Sequence, residues 1–106
     1  MNTAANDELA ERIKSALRGV IDPELGYNVL DLGLIYDVSV ENSGIARITM
    51  TTTTRGCPAT NFLQEGVRET ASHVAGVKSL DVDLTYDPPW TPQMMSAEAK
   101  QILGIG

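Results

Sequence analysis

Between Leu34 and Thr53 two apolar–polar alternations face each other across a four-residue turn, and no other stretch constrains the fold as tightly. Leu34, Tyr36, Val38 and Val40 share one side; Ile35, Asp37 and Ser39 share the other. A period of two predicts a half-buried strand over 34–40. Glu41-Asn42-Ser43-Gly44 supplies the turn, and the chain returns over 45–53 with Ala46, Ile48, Met50 and Thr52 on one face. Strands joined this closely pair antiparallel.

Helical spacing flanks the hairpin. Leu9, Ile13, Ala16, Leu17 and Val20 make one stripe, capped by Asn6 or Asp7 and stopped at Gly19 and Asp22-Pro23. Residues 1–6 are expected to be disordered. Turn formers fill 21–33, yet Leu25, Val29, Leu30 and Leu32 make it a packed-down loop and not a free linker. A second helix is predicted to open at Cys57-Pro58, with Phe62, Leu63, Val67, Thr70, Ala71 and Val74 inward and Gly76 as its stop. Residues 77–86 alternate again, Leu80, Val82, Leu84 and Tyr86 facing in. Asp87-Pro88-Pro89-Trp90-Thr91-Pro92 can be neither helix nor central strand. Ser96 then caps a last helix, Ala97–Leu103, ended by Gly104. The prediction is one α+β domain over 1–106. Its two layers follow the order α-β-β-α-β-α, with a three-stranded mixed sheet and helices on one face.

Strand direction turns this layout into a site. The third strand follows a helical crossover from the second, so the two run parallel and end on the same rim as the start of the first. Residues 22–33, 51–58 and 87–92 therefore converge there, as ligand-binding loops do in α/β sheets. The only cysteine, Cys57, lies in this set. Pro58 suits a first helical position, which makes Cys57 the N-cap, where free N–H groups and the helix dipole favour a thiolate. The alternative is a buried, inert thiol. His73, the one histidine, would sit roughly 24 Å along the same helix and cannot act as a base for Cys57. It is expected at the surface or the helix end.

The other rim candidates each have a plainer reading. Asp22, Glu24 and Asp87 offer hard ligand atoms, but Asp22 also suits an Asx turn. Thr53 and Thr54 offer hydroxyls, but threonine also favours strands. Trp90 suits a hydrophobic lid. Arg55 could pair with a rim carboxylate or counter an anion. A net charge of −6 without a Lys/Arg cluster argues against nucleic acid and anionic membrane as partners. One cysteine and no apolar leader or span predict a cytoplasmic chain without intrachain disulfides.

Asp22-Pro23-Glu24, Asp31-Leu32-Gly33-Leu34-Ile35-Tyr36, Thr51-Thr52-Thr53 with Cys57-Pro58, and Asp87-Pro88-Pro89-Trp90 appear in this order. Together they resemble the family that includes SufT, PaaD and the eukaryotic cytosolic iron–sulfur targeting factors. The likeness runs from Ile13 to Leu103. It implies a domain of the iron–sulfur-cluster-assembly type that helps mature iron–sulfur proteins or, in the PaaD branch, supports a phenylacetyl-CoA oxygenase. It carries the family motif onto Asp22, Pro23, Glu24 and Cys57. PaaD-like chains continue into a cysteine-bearing C-terminal segment that this sequence lacks, so the SufT-like branch is expected.

The leading expectation is a non-enzymatic assembly factor whose Cys57 holds or hands over iron or an iron–sulfur cluster. One thiol is too few for a closed site, so a transient cluster shared across a homodimer suits the chemistry. Partners would be the assembly machinery and client apo-proteins. The second expectation is a metal-free adaptor anchored by Trp90 and Tyr27. The third, a thiol enzyme, lacks a base and a resolving cysteine.

Overall fold

A computed structural model describes residues 3–56 and 58–104. The order is α1 (Thr3–Leu17), β1 (Ile21–Asp22), β2 (Tyr27–Asn28), β3 (Ile35–Glu41), β4 (Ile45–Met50), α2 (Thr60–Ser72), β5 (Ser79–Leu84), a one-turn 3-10 helix (Pro92–Met94) and α3 (Ala97–Leu103). The sheet has the order β3-β4-β5, antiparallel then parallel, so the mixed three-stranded α+β prediction holds.

Register explains why the alternations could be read. Val38 faces Ile48 and Val40 faces Ala46 across the hairpin. Ala46 pairs with Leu80, Ile48 with Val82 and Met50 with Leu84 across the parallel seam. These apolar rows share one face, and α1 covers β3 while α2 covers β5. Asn42 and Ser43 take positive φ, 48° and 60°, the backbone that a tight hairpin turn requires. The open face is polar: Arg47 sits between Asp81 (3.8 Å) and Asp83 (3.6 Å). Burying Leu9, Ile13 and Leu17 of α1, Leu63, Val67 and Ala71 of α2, and Ile48 and Met50 builds the core. Each of these side chains other than that of Ala71 contributes about 1.5–3 kcal/mol of transfer free energy.

Several expectations need correction. Residues Thr3–Asn6 are helical, not disordered, because α1 starts upstream of the proposed Asn6 or Asp7 caps; Met1 and Asn2 lie outside the described residues. The 21–33 connection contains a short antiparallel ribbon, Ile21 opposite Asn28 and Asp22 opposite Tyr27, too short to show a period. Helix α2 begins at Thr60, with Ala59 as its N-cap and no side-chain cap bond, so Cys57 is not the N-cap. Phe62 is 64 % exposed instead of inward, because it lies about 100° around the helix from buried Leu63. Strand β3 carries a bulge between Ile35 and Asp37, which interrupts the predicted alternation and frees Tyr36 for the rim. Ser96 caps α3 by accepting the Ala99 N–H, and Gly104 ends it with φ 75°, both as predicted.

Candidate functional site

The rim forms where β4 and β5 end and β3 begins. Past Met50 the chain stays tied to its neighbours: Thr51 N–H donates to Leu34 O (2.8 Å) and Thr85 N–H to Met50 O (2.8 Å). Thr51 and Thr52 are buried at 0 % and 1 % exposure, so these two threonines serve the fold's edge and are not open to solvent. Thr53 is half-buried and Thr54 exposed.

Thr52 is the joint of a three-segment latch. Its hydroxyl donates to Thr54 O at 2.9 Å and lies 3.0 Å from the Tyr86 hydroxyl. A threonine has one hydroxyl proton. With that proton on Thr54 O, Tyr86 O–H is the donor to Thr52. The chain Tyr86 → Thr52 → Thr54 thus fastens the turn after β4 to the end of β5. Arg55 covers the same phenol, its guanidinium carbon 4.7 Å from the ring centroid. Such a contact contributes about 0.5–1 kcal/mol at an exposed site. Of the two roles considered for Arg55, an ion pair with a rim carboxylate is not found among the described residues, where the side chain takes this aromatic seat.

Trp90 closes the neighbouring side. Its indole N–H donates to Leu32 O at 2.7 Å, and the half-buried ring packs on the core, which bears out the lid reading. Tyr36 O–H donates to Pro88 O at 2.7 Å, after a cis Asp87-Pro88 peptide, and lies 3.6 Å from Met94 Sδ. Gly33, Ile35, Tyr36, Pro88 and Met94 line a cavity of about 470 Å³. Gly33 is required there: φ is +79°, and an added Cβ would run into the Met94 backbone carbonyl. Burial raises the Tyr36 pKa, with an opposing contribution from a Thr51 hydrogen bond. Desolvation raises that of Tyr27, followed by the charges of Glu98 and Asp31 and a hydrogen bond to Glu98.

Asp22 is 1 % exposed, and its Oδ1 accepts the N–H groups of Glu24 (2.7 Å) and Leu25 (3.2 Å). This is the Asx turn, and it commits one carboxylate oxygen to the backbone. Pro23 and Glu24 are exposed on that turn. Asp87 is exposed and donates its N–H to Thr85 Oγ1 at 3.2 Å. His73 caps the end of α2, its Nδ1 2.7 Å from Glu69 O, the helix-end position predicted for it. Cys57 lies outside the described residues. The rim therefore gathers Thr52, Thr54, Arg55 and Tyr86 in one cluster, and Trp90 with Leu32 and Tyr36 with Pro88 in another. Of these, sequence reasoning missed Tyr36, Tyr86, Met94 and the joint role of Thr52. Alternation oriented Thr52 and Tyr86 inward but could not pair them.

Known proteins carry the same architecture. Residues 10–84 match the family described as iron–sulfur cluster assembly protein. The chain is 49% identical over 95 residues to an Fe-S protein maturation auxiliary factor of Porphyromonas gingivalis, covering 90% of each. It is 41% identical over 99 residues to the Bacillus subtilis Fe-S protein maturation auxiliary factor YitW, covering 93% of this chain and 97% of that one. A crystal structure of a domain of unknown function from Bacillus anthracis superposes with a TM-score of 0.93 at 37% identity, covering 99% of this chain and 100% of that one.

Proposed function

The chain belongs to the iron–sulfur cluster assembly protein family, and from that premise we propose that it is a maturation auxiliary factor whose Cys57 contacts iron or a cluster on its way to a client protein. The observation that carries this reading is likeness along nearly the whole chain to relatives that are themselves named maturation auxiliary factors. That full-length likeness favours maturation over support of an oxygenase. The role is one of carriage, not catalysis. A deprotonated thiol is a soft ligand for iron, and a cluster needs several such ligands. The cargo is therefore shared with thiolates of a second copy, of the assembly machinery or of the client. Asp22 shapes the turn bearing Pro23 and Glu24, while Thr53, Thr54, Asp87 and Trp90 belong to the rim segments. The chain works in the cytoplasm, beside the assembly machinery.

The test is Cys57→Ser in cells that lack parallel maturation routes, with Asp22→Ala and Glu24→Ala beside it. Iron–sulfur enzyme activities should fall with Cys57→Ser; activities equal to wild type would remove Cys57 from the mechanism.

The exposure of Phe62, at 64 %, favours a second reading, a metal-free adaptor. An exposed aromatic in the first turn of α2 is the type of anchor that docking surfaces use. Anaerobic reconstitution with iron and sulfide separates the two: uptake of iron that Cys57→Ser abolishes supports carriage, and no uptake by the monomer or a dimer supports the adaptor.

A further inference from the structure

Met50, Met94 and Met95 are the methionines among the described residues, and their exposures differ. Met50 is 0 % and Met95 5 % exposed, whereas Met94 is 36 % exposed. Met94 also lines the cavity of about 470 Å³ that it shares with Gly33, Ile35, Tyr36 and Pro88. Its backbone is held in place. The Met94 N–H donates to Thr91 O (3.0 Å), Met95 N–H to Pro92 O (3.1 Å) and Ser96 N–H to Asp31 O (2.7 Å), while Gly33 packs directly on the Met94 carbonyl. The sulfur of this anchored residue lies 3.6 Å from the Tyr36 hydroxyl oxygen.

Tyr36 has one hydroxyl proton to donate. It goes to Pro88 O at 2.7 Å, because a carbonyl oxygen is a strong acceptor and a thioether sulfur a weak one. Oxidation of the sulfur reverses that ranking, since a sulfoxide places a polar oxygen on what was an apolar side chain. The cavity has room for the added oxygen, being many times the roughly 30 Å³ that one water molecule occupies in the liquid. From this geometry we infer that Met94 is a site of oxidation by peroxide, and that its sulfoxide oxygen draws the Tyr36 O–H bond away from Pro88 O. With hydrogen peroxide, a sulfur lone pair attacks one peroxide oxygen, and an S–O bond forms as the O–O bond breaks. The sulfur loses two electrons, and the departing hydroxide takes the proton of the transferred oxygen to become water. The Tyr36–Pro88 and Trp90–Leu32 bonds both tie the proline-rich segment after β5 to the start of β3. Of these two, oxidation leaves only the second. The inference is independent of the carriage reading, and its step uses no metal.

The test uses the full chain labelled with ¹³C and ¹⁵N and carrying Cys57→Ser, so that no thiol consumes peroxide. Peptide mapping with fragment-ion mass spectrometry follows the treatment with hydrogen peroxide. Met94 should gain oxygen about tenfold faster, or more, than Met50 and Met95, because susceptibility follows exposure. Equal rates overturn the site. Carbon-detected correlation of the Pro88 carbonyl with the Pro89 nitrogen then reads the hydrogen bond itself. On oxidation the Pro88 carbonyl resonance should move upfield, by the amount seen in unoxidised Tyr36→Phe. Oxidised Tyr36→Phe should move no further, and Met94→Leu should not respond to peroxide. A Pro88 carbonyl that stays in place in the oxidised protein or in unoxidised Tyr36→Phe overturns the exchange of acceptors. So does one that moves as far on oxidation of Tyr36→Phe as on oxidation of the chain with Tyr36. Both substitutions nearly conserve side-chain size, and backbone amide spectra confirm that each variant is folded. Because no iron is used, failure here leaves the carriage reading to its own test with Cys57→Ser in cells.

Discussion

Trp90 and Leu32 are 58 positions apart, yet the indole N–H of one donates to the carbonyl oxygen of the other at 2.7 Å. That bond ties the proline-rich segment after β5 to the packed loop before β3. Trp90→Phe keeps an aromatic ring over the core but leaves Leu32 O without its donor. The expected cost is about 1 kcal/mol, measured by urea unfolding followed by circular dichroism. Trp90→Ala also removes the ring and should cost about 3 kcal/mol or more.

The Thr52 latch separates shape from hydrogen bonding. Thr52→Val preserves the branched side chain but strips a donor from Thr54 O and an acceptor from Tyr86 O–H. A loss of about 1–2 kcal/mol is expected, while Thr52→Ser should recover most of it. A double-mutant cycle with Tyr86→Phe should give a coupling of about 0.5 kcal/mol or more, since the two hydroxyls share one bond. Additive losses would mean that the hydroxyls do not act together.

Two glycines with positive φ should respond differently to alanine. At Gly33 the new methyl group meets the Met94 backbone, and at Gly56 it meets open space. Gly56→Ala should cost about 1–2 kcal/mol, the conformational penalty alone. Gly33→Ala adds a backbone collision and should cost clearly more, with disturbed near-ultraviolet circular dichroism from the Tyr36 and Trp90 surroundings.

Alkaline pH should weaken the fold through Tyr27 and Tyr36. Both have folded pKa values raised above 10.0, by burial first in each case. The folded state thus favours the neutral phenol. The stability linked to these groups is fully present below pH 10.0 and is lost as pH rises through the raised folded values. Tyr36→Phe and Tyr27→Phe should each flatten the decline of stability above pH 10, measured by urea midpoints across that range.

Helix α2 supplies a paired test of orientation. Phe62→Ser should change stability by no more than about 0.5 kcal/mol, because the ring is 64 % exposed. Leu63→Ala, one position on and fully buried, should cost about 2–5 kcal/mol.

How far the residues reveal the fold depends on how local each signal is. Alternation along 34–40, 45–53 and 77–86 depends only on neighbours, so strand order, direction and the buried face of β4 could all be read. Ser96 and Gly104 announce α3 for the same reason: a cap and a stop are chemical features of single positions. The start of α2 could not be read this way. Pro58 signals a first helical turn, but Gly56, with φ +72°, and Pro58 both lie in turns, and α2 begins only at Thr60, after its N-cap Ala59. That shift in the start went with the misplacement of Phe62. The Arg55 seat, the Thr52–Tyr86 bond and the Trp90–Leu32 bond join residues distant in sequence, and no local pattern encodes them. Asp22 shows the opposite case, a motif residue whose plain local reading, the Asx turn, is the one its buried carboxylate takes.

Central strand β4 is flanked by one partner close in sequence and one far away, and loop closure therefore orders its assembly. The hairpin with β3 closes over residues 42–44, whereas β5 joins only after all of 51–78 has been brought back. Tyr86, just beyond β5, is then among the last residues to arrive, and Arg55 gains its seat only once the sheet is complete. A half-folded chain would lack the bond between Thr52 and Tyr86, so the rim is completed only with the finished fold. Low φ-values at Leu84 and Tyr86 beside high ones at Val38 and Ile48 are the kinetic signature of that order; the reverse pattern would refute it.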